Sequence, residues 1–213
     1  MRIESESRSV RTSKHNHGTL FCLTLALFTA ASTMQATPIT AVVANTDMGT
    51  LAGDITHIVD GSGLSAYNFS ATHAAGDGTN DWNGLNVTGT VTFNLGGLYN
   101  LDGMAVWNFN SINSRGVNAV TVTGSTDGVT FLAIAGAPTS FLQQFASAAE
   151  PAQIFSFSTT ASFIRFTITS NFGSPNGSGL NEVMFDAVPE PASCALLGAG
   201  LAALAYLRRR RVG

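Results

Sequence analysis

A period of two residues constrains this chain most. Val91, Phe93 and Leu95 alternate with Thr90, Thr92 and Asn94, and Val120 and Val122 alternate with Thr121 and Thr123. Ile164, Phe166 and Ile168 alternate with Arg165, Thr167 and Thr169, Phe155 and Phe157 bracket Ser156, and Val183 and Phe185 alternate with Glu182, Met184 and Asp186. Successive strand side chains point to opposite faces, so each run buries one face and wets the other. Leu101 to Phe109 reads as a strand buried more fully. Gly96-Gly97, Asp127-Gly128, Gly136 to Pro138 and Gly173 to Gly179 separate the runs, and the Asp-Gly step predicts a hairpin turn. Many short strands with turn signals between them predict an all-β sandwich. Gly61 to Asn86 has no clear period and reads as a long functional loop. Phe141 to Ala149 is predicted to form one short helical turn.

The two ends do not share this pattern. Met1 to Gly18 is polar, with Arg2, Arg8, Arg11 and Lys14; Thr19 to Ala31 is an apolar run of 13 residues; Ser32 to Ala36 is small and polar apart from Met34. That is the layout of a secretory signal peptide, with cleavage expected after Ala36 or, because Met34 is bulky, after Ser32. At the other end, Pro189-Glu190-Pro191 precedes an uncharged span from Ala192 to Leu207, 16 residues, and then Arg208 to Arg211. As a helix this span is about 24 Å long, the short end for a bilayer crossing. The arginines would hold its end on the cytoplasmic side. The expected division is a signal peptide at 1–36, a body at 37–187 and a C-terminal segment at 188–213.

Removing the ends changes the charge balance. The whole chain has a formal charge of −3, but between Thr37 and Val188 only Arg115 and Arg165 are basic against ten acidic residues, a formal −8. Such a body is unsuited to phosphate backbones, so no nucleic-acid partner is expected. Both cysteines, Cys22 and Cys194, lie in the removable ends. The body therefore has no disulfide and no thiolate site, and its core must be large enough to stand alone.

The C-terminal segment resembles the PEP-CTERM sorting signal of Gram-negative bacteria in Pro189-Glu190-Pro191, the small-residue apolar span and the arginine cluster. The resemblance implies an exported protein held in the inner membrane until an exosortase-type membrane peptidase cuts near the motif. Pro189, Glu190 and Pro191 would be a processing site and the apolar span a transmembrane sorting helix.

The body resembles the discoidin, or F5/8 type C, family of galactose-binding-like jelly rolls. Four blocks carry the resemblance: Ile58 to Ser65; Val91 to Gly96 with Met104 to Asn110 and Arg115-Gly116; Val120 to Gly128; and Phe163 to Phe166 with Gly179 to Phe185. Family members bind glycans, lipid head groups or proteins through loops at one end of the sandwich. Many bacterial members also hold a Ca²⁺ between the loop after the first strand and the last strand. Here that implies a structural calcium at Asp60, backbone oxygens from Ser62 to Ser65, and Glu182. A Gly-rich loop can fold carbonyls around an ion that needs six to eight oxygens.

Sugars are held by aromatic faces and planar hydrogen-bonding side chains. Trp107, Asn108, Asn110 and Arg115 cluster where a strand runs into a polar loop, and Asn171 and Phe172 open the last Gly-rich loop. These six are the expected ligand residues. His57 and His73, the body's two histidines, fall in no nucleophile or zinc motif. The leading expectation is an exported, non-catalytic module that binds carbohydrate or exopolysaccharide at the cell surface or in the extracellular matrix. The alternative is a structural matrix protein without a defined small ligand; a polysaccharide hydrolase ranks third.

Overall fold

The computed structural model describes residues 37–188 and Gly200. The expected signal peptide, the Pro189-Glu190-Pro191 step and the expected transmembrane helix lie outside these. The body is all-β. Its strands are β1 (Thr37–Pro38), β2 (Val43–Thr46), β3 (Ala52–Gly53), β4 (Thr72–His73), β5 (Trp82–Asn83), β6 (Gly89–Asn108), β7 (Val120–Ser125), β8 (Leu132–Ala133), β9 (Glu150–Pro151), β10 (Gln153–Ile168) and β11 (Gly179–Ala187). Two 3-10 turns, Ile55–Ile58 and Asn113–Arg115, interrupt the loops.

The long strands β6 and β10 run antiparallel and build both layers. The first half of β6 pairs with β2 (Thr46 opposite Val91) and with the end of β10 (Ile164 opposite Phe93), which pairs onward with β7. The second half of β6 pairs with β11 (Val183 opposite Val106) and with the start of β10 (Phe155 opposite Met104). Register shifts between Ser156 and Thr159 and between Ala161 and Phe163 bend the ladder between these halves. The result is a jelly-roll β-sandwich. Phe93 meets Phe166 within its own layer at 4.9 Å and Phe185 of the other layer at 5.2 Å, both edge-on. Edge-on geometry is the favoured one for aromatic pairs. Val91, Leu95, Leu101, Ile164 and Leu180 complete the buried core around them.

The second layer is covered on its outer face too. Trp107, Ala105 and Met184 point away from the main core and are buried beneath Ala71, Leu64, Phe69 and Ala152. The loop from Gly61 to His73 is thus a lid on the sheet, fixed by β4 pairing with β9 (His73 opposite Glu150) and by Trp107 Nε1 donating to Ala71 O at 3.1 Å.

The hairpin expected at Asp127-Gly128 joins β7 to β8; Asp127 Oδ1 accepts from the amides of Val129 and Thr130 at 2.9 and 2.8 Å. The helical turn expected at Phe141 to Ala149 does not form. Phe141 N donates to Asn118 O, and both backbone groups of Leu142 bond the Gln153 amide, at 2.6 and 3.0 Å. The groups a helix would pair internally are engaged elsewhere.

Candidate functional site

Four loops meet at one end of the sandwich, and buried amides tie them together. Asn110 Oδ1 accepts from Gly76 N at 3.0 Å and Asn181 Nδ2 at 2.8 Å, and its Nδ2 donates to Ala148 O. Asn108 Oδ1 accepts from the amides of Phe109 and Val117, and its Nδ2 donates to Val117 O and Leu142 O. Asn171 Nδ2 donates to Ser174 O and Gly177 O, and its Oδ1 accepts from Gly173 N. These asparagines replace the backbone pairing that irregular loops lack.

The six expected ligand residues therefore divide. Trp107, Asn108, Asn110 and Asn171 are buried, with their polar atoms engaged as above, and act on the loops from below. Arg115 and Phe172 are half-buried at the loop end. Arg115 Nη1 donates to Asn83 Oδ1 at 2.6 Å when the Asn83 amide is turned so that its nitrogen donates to Gly84 O. That bond ties the 3-10 turn after β6 to β5.

One open feature was not foreseen. Phe145 is 77% exposed, Leu142 73% and Ile154 58%. They border a depression of about 560 Å³ whose polar lining includes Gln143, Gln144, Glu150 and Gln153. The depression's wall is pinned: Gln153 grips Leu142, Gln144 Nε2 donates to Pro151 O at 3.0 Å, and Gln143 Nε2 donates to Asn113 O at 3.3 Å. Gln144 Oε1 is buried and has no partner. An exposed ring can take the C–H face of a sugar, and the exposed Gln143 and half-buried Glu150 side chains, rather than the engaged Gln144 and Gln153 amides, are the lining groups that could bond its hydroxyls. The signal in the sequence was Leu142-Gln143-Gln144-Phe145, apolar residues around two amides.

The expected calcium residues lie under the Gly61–His73 lid. Glu182 on β11 is fully buried; its Oε2 accepts from Gly61 N at 3.0 Å and its Oε1 has no partner. Burial pushes the Glu182 carboxyl up to about 9, and the nearby Asp60 charge adds to the shift although the Gly61 amide opposes it. Asp60 Oδ1 accepts from Ser62 N at 2.8 Å. Gly61 and Gly63 turn the loop at φ +77° and +83°, the left-handed region where a side chain is strained. Ser65 Oγ accepts from Thr72 N at 3.1 Å. Among the described residues, no three His, Cys, Asp or Glu side chains group as a metal set. A cation here would rest on one or two carboxylates and on carbonyls, a donor set that suits calcium and not zinc. The orphaned, desolvated Glu182 oxygen fits that role.

His73 lies beneath the same lid. Its Nδ1 is 2.7 Å from Ala74 O, and burial holds its pKa below the usual histidine value. It is a neutral ring that supports Gly63, whose carbonyl accepts from Ala74 N at 2.8 Å.

Residues 187–211 match the PEP-CTERM protein-sorting motif. No curated protein matches the chain. Among solved structures, the body is similar to CpGH89CBM32-5 from Clostridium perfringens, solved with GalNAc-β-1,3-galactose: TM-score 0.55, 15% identity, covering 72% of this chain and 100% of that one. It is also similar to the family 32 carbohydrate-binding module of C. perfringens NanJ, solved with galactose (TM-score 0.52, 14% identity, 71% and 99% covered). A third is CBM32-3 from a family 31 glycoside hydrolase of C. perfringens (TM-score 0.51, 14% identity, 71% and 94% covered). At such identities the likeness is one of fold. Among the described residues no helix is long and apolar enough to cross a membrane. The chain carries a PEP-CTERM protein-sorting motif, and its body has the discoidin-like fold of the family 32 carbohydrate-binding modules.

Proposed function

We propose that the protein is an exported, non-catalytic carbohydrate-binding module that acts at the cell surface or in the extracellular matrix. It would be held in the inner membrane through its C-terminal segment and released by an exosortase-type peptidase near Pro189-Glu190-Pro191. The observation that carries the binding reading is the open depression lined by the exposed Phe145 ring and polar side chains on a carbohydrate-binding-module fold. Asn113, whose carbonyl accepts from Gln143 Nε2, adjoins its edge. A hydrolase of the usual kind needs two carboxyl groups flanking one bond. Glu150 is the sole acid lining the depression.

A glycan array tests the reading. Saturable binding that Phe145→Ala removes at unchanged melting temperature supports it. Uniform failure to bind, with Phe145→Ala behaving as wild type in matrix assembly, favours a structural matrix protein.

A structural Ca²⁺ is part of the same proposal. Asp60 and Glu182 would supply charge, and the backbone from Ser62 to Ser65 would supply carbonyls. When bound, the ion would replace the proton on Glu182 and fix the lid over Trp107. A chelator should lower the melting temperature, and added Ca²⁺ should restore it; an unchanged curve would rule the site out.

A further inference from the structure

One corner of the body places two acids together and gives them no arginine. The end of β11 pairs Asp186 with Gly103, so Asp102 lies next to it across the ladder, and both acids border a small depression. The rest of that lining, which includes Phe69, Ser70, Ile154 and Phe155, is not ionisable. Burial raises the Asp186 carboxyl above its ordinary value and the Asp102 charge adds to this, while the Thr37 amide opposes it. Neither arginine of the body lines this depression. The Arg165 guanidinium lies 3.6 Å from the Phe131 ring centre, and its Nε donates to Thr92 Oγ1 at 3.0 Å. Arg115 bonds Asn83.

The group that does reach the corner is Thr37 N, 3.1 Å from Asp186 Oδ1. While residue 36 is attached, that nitrogen is a peptide amide with one proton and no charge. Cleavage after Ala36 would convert it to an ammonium with three donors, which suits a carboxylate with a second acid nearby. The rest of β1 is in place to hold it: Thr37 lies opposite Ala187, Ile39 N donates to Phe185 O at 3.1 Å, and the Ile39 side chain is buried in the core. Val188 N donates to Asn100 O at 2.8 Å on the same stretch, where the sorting motif begins.

We propose that removal of the signal peptide completes the fold at this corner: the new Thr37 ammonium pairs with Asp186 and clasps β1 to β11 at the foot of the sorting motif. The first processing step would then fix the end of the body on which the second acts. The inference rests on the export reading above. The chain's one lysine, Lys14, precedes the cleavage point, so the α-amine is the only primary amine of the exported protein. The test sequences the exported protein from its N-terminus, treats it with an amine-acylating reagent and follows uptake by intact mass. At about pH 8 the wild type should react about threefold more slowly than Asp186→Asn, because the ion pair holds the proton on the amine. The gap should close in molar salt, and at about pH 10.5, where both amines have lost their proton. The asparagine keeps an acceptor oxygen for Thr37 N, and an exposed ion pair contributes little to stability, so the two melting temperatures should be similar. Equal rates at pH 8, a gap that persists at pH 10.5 as simple steric cover would give, or a sequence that begins at Thr33 would overturn the clasp and leave export intact. An N-terminus still at Met1 would overturn both.

Discussion

Glu182 Oε2 receives the Gly61 amide while Oε1 meets no donor, and the carboxyl is held up to about 9 against an ordinary 4.5. The unfolded chain therefore loses this proton first. Its stabilising contribution is complete below about 4.5 and is lost as pH rises towards about 9. The metal-free protein should accordingly melt at falling temperature from pH 5 to pH 9, and Glu182→Gln should flatten that slope in a chelator-treated thermal series. Binding a cation requires the ionised form, so the rise in melting temperature on adding Ca²⁺ should be larger at pH 8 than at pH 5. Asn108 illustrates what residue types conceal. An asparagine at a strand end followed by a polar loop has the same letter whether it faces a sugar or replaces a missing backbone partner. Here it makes four hydrogen bonds in the interior. Asn108→Ala should destabilise the fold by about 3 kcal/mol in urea unfolding, because several buried backbone groups lose partners. Any loss of glycan binding should track that loss of stability.

Among the elements, legibility followed solvent. The first half of β6, β7 and the end of β10 have one wet face, so their alternation appears in the letters and the structure buries Val91, Phe93, Val122 and Ile164 accordingly. The second half of β6 has both faces covered, by the core and by the Gly61–His73 lid. Its run from Met104 to Asn110 is continuously buried and shows no alternation. The lid itself had no period to read, since tertiary pairs such as His73 with Glu150 hold it. The segment after Phe141 misled for a related reason: its spacing suits a helix, but the Gln153 amide captures Leu142 from eleven residues away. Gln153→Ala should therefore speed hydrogen exchange at Leu142 and weaken glycan binding several-fold, with little change in global melting, because the bond holds an exposed edge and not the core. Unaltered exchange at Leu142 would show that the segment is held by other contacts.

In the whole molecule, β1 lies against the end of β11, with Thr37 opposite Ala187 and Thr37 N donating to Asp186 Oδ1 at 3.1 Å. The sorting motif begins at residue 187, so the start of the body and the start of the motif lie side by side. Cleavage after Ala36 would leave Thr37 as the mature N-terminus, with its ammonium at the Asp186 carboxylate; N-terminal sequencing of the exported protein should read Thr37-Pro38. Intact mass should show Arg208 to Arg211 removed. The sequence also marks the body's acidity, with −8 between Thr37 and Val188, but only the fold shows that both arginines are engaged away from the open depression. The most direct test of the carbohydrate-binding reading is affinity electrophoresis of the exported protein through gels containing surface polysaccharide from the producing cells. The wild type should be retarded in a saturable way, without releasing sugar. Phe145→Ala, with an unchanged melting temperature, should migrate as though the polysaccharide were absent, a loss of affinity of about tenfold or more. Equal retardation of the two proteins, or none of either, would contradict the account.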